Sequence, residues 1–301
     1  WTGGALSGAL KIAARFDYAM LRGARLAGQG SVSWKDGAYG FVMKDCAPVR
    51  LSRFRPGKVM AENISASICP LAAKPLLSGD ARGWALAAMA RDASAGLTLA
   101  GVHLDSGAAR LDFHGGAPPK SKEGTVAVTA GRIGDGARPV RFNPVAGSGT
   151  LTLRGGVWRG KLAVTGKGGA ALADVAVTHA MASGSGRAHI AAPDLAFDPE
   201  HLQPADLSPL LAAFRQAKGS ARFDGDVTWN AKGLDSDGTL AIGGLDFLTP
   251  MGTAHAVQTK IAFTSLLPPK TAPDQKLTIS RIDWTLPFSA VDLRFGFDPK
   301  T

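Results

Sequence analysis

Arg222-Phe223-Asp224-Gly225-Asp226-Val227-Thr228-Trp229 alternates between two kinds of residue. Phe223, Val227 and Trp229 share one parity, while Arg222, Asp224, Asp226 and Thr228 hold the other. Successive side chains of a strand point to opposite faces, so this stretch reads as a β-strand with one apolar and one wetted face. The pattern repeats outward in both directions. Ile282, Trp284, Leu286 and Phe288 alternate with Asp283, Thr285 and Ser289, and Val291, Leu293 and Phe295 alternate with Asp292 and Arg294. Far upstream, Leu10, Ile12, Ala14 and Phe16 alternate with Lys11, Ala13, Arg15 and Asp17. Asp36-Gly37 separates two further alternating runs, which is a hairpin signal, and Gly115-Gly116, Gly155-Gly156 and Gly168-Gly169 punctuate others. Many short strands joined by tight turns predict an all-β protein built from consecutive hairpins.

Composition agrees. The 301 residues include 38 Gly and 18 Pro, and only 19% are charged. So much glycine with so little charge argues against a helical bundle, a coiled coil or a charged disordered tail. The net charge of +10 suits phosphate-bearing partners. The densest basic group is Arg50, Arg53, Arg55 and Lys58. It lies in no basic helix and has no interleaved aromatics, so nucleic acid is not expected as a partner. The longest run free of Asp, Glu, Lys and Arg is the thirteen residues from Phe247 to Thr259, short of the roughly 20 needed to span a bilayer as a helix. The chain starts at Trp1, and it is expected to be a piece of a longer protein whose anchor or export signal lies outside it.

One segment departs from period two. Between Pro199 and Lys218, Leu207, Leu210, Leu211 and Phe214 fall at helical spacing, with Asp206 or Ser208 as a cap and Gly219 as a stop. This predicts one amphipathic helix near 205–218, either packed as ordinary core or acting as a lid or plug. It divides the chain into a hairpin array over 1–198 and a helix-plus-sheet region over 199–301. Period alone leaves three ways to shelter the apolar faces: a closed barrel, a sandwich, or a long sheet curled on itself. An elongated, curled antiparallel sheet is the expectation, since glycine within strands favours curvature.

Chemistry-bearing patterns are missing from the sequence. The six histidines form no HExxH and stand at no metal-ligand spacing to a cysteine, and no nucleophile elbow or phosphate-binding loop occurs. No catalytic residue, metal or cofactor is expected. Cys46 and Cys69-Pro70 each stand at an apparent strand end, where one hairpin would bring them together. A disulfide there fits an oxidising compartment, and two buried thiols in a reducing one is the alternative.

The C-terminal third then resembles a known family. Leu202-Gln203-Pro204 leading into Leu207-Ser208-Pro209-Leu210, Gly225-Asp226-Val227-Thr228-Trp229, Leu245-Asp246-Phe247-Leu248-Thr249-Pro250, Leu266-Leu267-Pro268-Pro269 and Gln275-Lys276-Leu277-Thr278-Ile279 are similar to the YdbH-like family, in the wider AsmA-like group that includes TamB and YhdP. Cys46 and Cys69 also resemble that family's paired cysteines.

The resemblance implies a Gram-negative envelope protein, held in the inner membrane by an N-terminal helix and reaching through the periplasm. It implies a taco-shaped sheet whose apolar groove carries phospholipid between the membranes. Residues sharing the apolar parity are then the candidate lining: Phe223, Val227, Trp229, Leu240, Ile242, Ile261, Phe263, Leu277, Ile279, Trp284, Leu286, Phe288, Leu293 and Phe295. Arg50, Arg53, Arg55 and Lys58 are the candidate head-group contacts. Expected partners are phospholipids, the inner membrane through the outlying anchor, and an outer-membrane lipoprotein or strand-pairing partner. A rival expectation is a periplasmic scaffold for outer-membrane biogenesis that works by strand pairing.

Overall fold

A computed structural model describes residues 4–18, 21–55, 60–72, 74–98, 100–116 and 122–298. Its strands are β1 Leu6–Tyr18, β2 Leu21–Lys35, β3 Ala38–Met43, β4 Ala47–Phe54, β5 Ala61–Pro70, β6 Leu77–Asp80, β7 Gly83–Leu97, β8 Val102–Gly116, β9 Lys122–Asp135 and β10 Val145–Arg154. They continue as β11 Val157–Thr165, β12 Ala171–Ala180, β13 Ser185–Phe197, β14 Arg215–Asn230, β15 Gly233–Thr249, β16 Gly252–Leu266, β17 Pro269–Thr271, β18 Gln275–Asp283 and β19 Phe288–Phe295.

All 19 strands belong to one antiparallel sheet. From β7 to β16 every strand pairs with its neighbours in sequence. Three positions are shared by collinear pairs: β3 with β4, β5 with β6, and β17 with β18. No pairing joins β1 to β19 among the described residues, so the expected open sheet forms and the barrel does not. The sheet also runs unbroken from β13 to β14, across the division expected at 198.

Cross-strand register shows how far the alternation reaches. Directly paired residues of an antiparallel sheet share a face. One row of such pairs runs Gly8, Val32, Phe41, Leu77, Leu86, Phe113, Gly124, Leu153, Trp158, His179, Gly186, Trp229, Leu234, from β1 to β15 without a break. A parallel row carries Leu111, Val126, Leu151, Gly160, Val177, Ala188 and Val227. The row between their strand positions, on the other face, reads Asp112, Thr125, Thr152, Arg159, Thr178, Arg187, Thr228, Asp235.

The long strands are bent partway along. Positive φ occurs at Asn63 in β5, Asp92 in β7 and Ser106 in β8, and again at Gln216 in β14, Gly244 in β15 and Ala256 in β16. Register shifts at or beside these sites in β5, β7, β8, β14 and β15. A bulge inserts one residue, bends the strand and exchanges the parity of the residues beyond it. Thus Ile242 and Leu245 lie on the same face across the Gly243–Gly244 shift. Aligned on neighbouring strands, such bulges crease the sheet while keeping its apolar face continuous.

The helix departs from expectation. Only Pro204–Leu207 (α1) is α-helical, followed by a 3-10 turn over Pro209–Leu211, and β14 has begun by Arg215. Proline disfavours the helical conformation in the residue before it, and Ser208, ahead of Pro209, is extended at φ −151°, ψ 134°. The helical spacing of Leu207, Leu210, Leu211 and Phe214 therefore belongs to a capped, irregular strap.

The stapled hairpin forms as expected. Cys46 and Cys69 are bonded, with Ala47 opposite Ile68 in the adjoining β4–β5 ladder. The bond joins residues 23 apart, and by restricting the unfolded chain it contributes about 3 kcal/mol.

The apolar face as candidate lipid site

A compact protein of 31.0 kDa exposes about 12,000 Å². This chain exposes 18118 Å². The excess fits a sheet whose faces are not covered by a second layer. In β12, exposed Asp174, Ala176 and Thr178 alternate with half-buried Val175, Val177 and His179, so the apolar face is the more sheltered one yet stays short of a closed core.

Glycine shapes that face. A Cβ on Gly124 would stand 2.2 Å from the Phe113 ring, and one on Gly186 would stand 2.4 Å from the Trp229 ring. Gly225 and Gly238 likewise underlie Phe223. Each ring therefore lies down over a glycine of the sheet and does not stand up from it. Flat rings leave the space above the face open, which gives the high glycine content a structural reason.

A tightly packed cluster lies under the strap. Leu202 packs with Phe197, Ala217, Ala221, Leu245, Ala254, Val257 and Ile279, and Leu207 adds to this cluster. Phe214 meets Phe247 edge-to-face at 5.0 Å between centroids. The side-chain amide of Gln203 takes the place of a strand: its Nε2 donates to the Ala217 carbonyl at 3.0 Å, and the Ala217 N–H donates to its Oε1 at 2.8 Å.

The strap's other end is tied to the loop between β9 and β10. Asn143 Nδ2 donates to the Ala205 and Asp206 carbonyls at 2.7 and 3.0 Å, the Asn143 N–H donates to the Leu207 carbonyl at 2.9 Å, and the Ser208 hydroxyl donates to the Arg141 carbonyl. Arg141 is itself pinned to the fully buried carboxylate of Asp135 at 2.6 Å. That guanidinium holds the Asp135 carboxyl well below the usual carboxylate range. The strap, itself part of the β13–β14 connection, is thus tied at one end to Ala217 of β14 and at the other to the β9–β10 loop. The sequence reading missed this clamp, because nothing in local spacing links Asn143 to residue 205.

The expected lining residues divide three ways. Register puts Phe223, Val227, Trp229, Leu240, Ile242, Ile261, Phe263, Leu277, Leu293, Phe295 and Phe288 on the apolar face. Ile279 shares it but is packed into the cluster beneath the strap, 8% exposed. Trp284 and Leu286 lie outside any strand, in the β18–β19 turn, where Leu286 is 70% exposed. Pro287 ends the alternation there. The sequence reading confined the lining to the last third, whereas the same face extends through Leu111, Val126, Leu151, Val177 and on to β1.

The expected head-group residues stand elsewhere. Arg50 pairs across the sheet with Arg25 and Ser65, and Arg53 with Arg22 and Glu62, all on the polar face; Arg53 also meets the Glu62 carboxylate at 3.5 Å. Arg55 is exposed just past the end of β4, and Lys58 lies outside the described residues. Hollows lined by Ala13, Arg15, Arg25 and Arg50, and by Thr152, Arg159, Lys161 and Thr178, open on this polar face too. Each spans three strands and none forms a path along the sheet. Polar-face ion pairs such as Arg187–Asp226 at 2.6 Å staple neighbouring strands and hold the Asp226 carboxyl below its ordinary value.

No cluster of three or more metal-ligating side chains occurs among the described residues, and no helix there is long and apolar enough to cross a membrane. A family model described as YdbH-like, intermembrane phospholipid transport protein YdbH, matches residues 5–301. No curated protein and no solved structure matches the chain.

Proposed function

The chain belongs to the YdbH-like family of intermembrane phospholipid transport proteins, and from that premise we propose that its continuous apolar face is a trough that shields acyl chains in transit. Each CH₂ left in water costs about 0.8 kcal/mol, so a chain of about 16 carbons costs on the order of 12 kcal/mol. Aliphatic rows that repeat from strand to strand offer nearly equal shelter at each step, so a lipid can slide without a deep trap. The single observation that carries this reading is the unbroken apolar register from β1 to β15, on a face that, among the described residues, has no covering layer outside the strap. The corresponding setting is the periplasm of a two-membrane envelope, with phospholipids as the cargo. No covalent step or nucleotide is required of these residues.

The test is photo-crosslinking in the full-length protein. A crosslinker at Val177 or Val227 should capture phospholipid, one at Thr178 or Thr228 on the polar face should not, and Val177→Asp should abolish capture while the fold persists. Capture from the polar face alone would sink the proposal. Ile279 is unsuitable for this purpose, because a charge there would disrupt the packed cluster. A second reading draws on β1 and β19, each of which pairs on one side only among the described residues: a strand-pairing scaffold would use those edges. It predicts no lipid in gently extracted protein, where the trough predicts bound lipid.

A further inference from the structure

The two long rims of the apolar face differ in chemistry. One rim is formed by hairpin turns, including 36–37, 81–82, 155–156 and 231–232. Two positions in from each of these four turns, on the apolar face, stands a tryptophan: Trp34, Trp84, Trp158 and Trp229. They are four of the chain's six tryptophans. Tyr39 stacks on Trp34 at 6.0 Å, and His179 stacks on Trp229 at 6.0 Å while its Nδ1 accepts the indole N–H at 3.1 Å.

Along the opposite rim the same face carries Leu104, Ile133, Phe197, Leu245 and Ile282, all hydrocarbon. Trp284 is on that side but in a turn, off the strand face. The strap also packs at that rim, on a cluster drawn from β13 to β16 and β18. Arg82 and Lys232 lie within two of the tryptophan-bearing turns, and Lys35 and Arg154 flank the other two on the polar parity.

Indole is a large apolar body with one polar N–H. It settles where hydrocarbon meets water, at the level of lipid head groups. A row of such rings at one rim, against plain hydrocarbon and a strap at the other, gives the trough a polarity across its width. We propose that the hairpin rim bearing Trp34, Trp84, Trp158 and Trp229 is the head-group side. Acyl chains lie across the aliphatic rows, and the glycerophosphate rides along this rim. The inference rests on the trough reading above and adds the orientation of the cargo.

Nitroxide quenching tests it in the full-length protein. Three single-tryptophan variants are needed, with every other tryptophan changed to Phe: one keeping Trp158, one carrying Val175→Trp in mid-trough, and one carrying Ile133→Trp at the opposite rim. Each is loaded with phosphatidylcholine carrying a nitroxide on the head group or, separately, midway along an acyl chain. The Trp158 fluorescence should be lost to the head-group label and the Val175→Trp fluorescence to the acyl label. If the acyl label quenches Val175→Trp but the head-group label quenches Ile133→Trp in preference to Trp158, the rim assignment is overturned and the trough stands. If neither label quenches any of the three, both fail. Should the Ile133→Trp variant not fold, Leu104→Trp reports on the same rim.

Discussion

At the scale of single residues, the pairing of glycine with a ring across neighbouring strands lets the ring lie flat on the apolar face. Gly124 faces Phe113, whose ring atoms a Cβ would meet at 2.2 and 2.5 Å, and only side-chain atoms of that ring are in the way. Gly124→Ala should therefore force the ring off the sheet and destabilise the protein by about 1–3 kcal/mol. Because the clash is with the ring, Phe113→Leu should recover much of that loss, giving a double-mutant cycle with strong coupling. Denaturant melts of the two single variants and the double would check this. Additive losses would mean that the ring does not lie on the glycine. The polar face has no such requirement, since its residues stand in water.

At the scale of elements, alternation made the strands legible and little else. Period two in Phe223–Trp229 or Leu10–Phe16 records which side of a strand is wet, so strand existence and the apolar parity could be read directly. The bulges could not. Asn63, Asp92 and Gly244 are of types that favour positive φ, but Ser106, Gln216 and Ala256 hold it too and are not, so no common residue type marks the crease. Nor could the strap, whose four apolar residues mimic a helical stripe while the chain that carries them is irregular. Pro209 was the sign that this stripe breaks. The clamp on the strap yields a prediction with a definite sign. Arg141 holds the Asp135 carboxyl below its unfolded value, so the stabilisation is full above about pH 4 and is lost as pH falls through the depressed folded value. Asp135→Asn leaves Arg141 without its buried partner and should cost about 3 kcal/mol at neutral pH. Thermal melts across pH should show the wild type losing stability on acidification more steeply than the variant, with the two converging at low pH. Parallel curves would show that the pair is not what holds the loop.

For the whole molecule, the question is how a sheet this open stays folded. A compact chain of this mass buries about 33,000 Å² of the roughly 45,000 Å² its unfolded form exposes. With 18118 Å² still exposed, this chain buries about a fifth less. The deficit is partly offset by the disulfide and the cross-strand ion pairs of the polar face, which bind neighbour to neighbour, and by the clamp that ties the strap to the β9–β10 loop. Denaturant sensitivity scales with the surface exposed on unfolding, so the m-value should fall about a fifth below that of a compact protein of equal length. The heat-capacity change should fall with it, because exposure of apolar surface dominates that quantity. A lipid lying in the trough would cover part of the missing area, so both quantities should rise when phospholipid is bound, together with the melting temperature. Calorimetry of lipid-stripped and lipid-loaded protein decides the matter. An m-value and heat-capacity change already equal to those of a compact protein in the stripped state would mean that the two halves of the creased sheet close on each other in solution, leaving no room for an acyl chain.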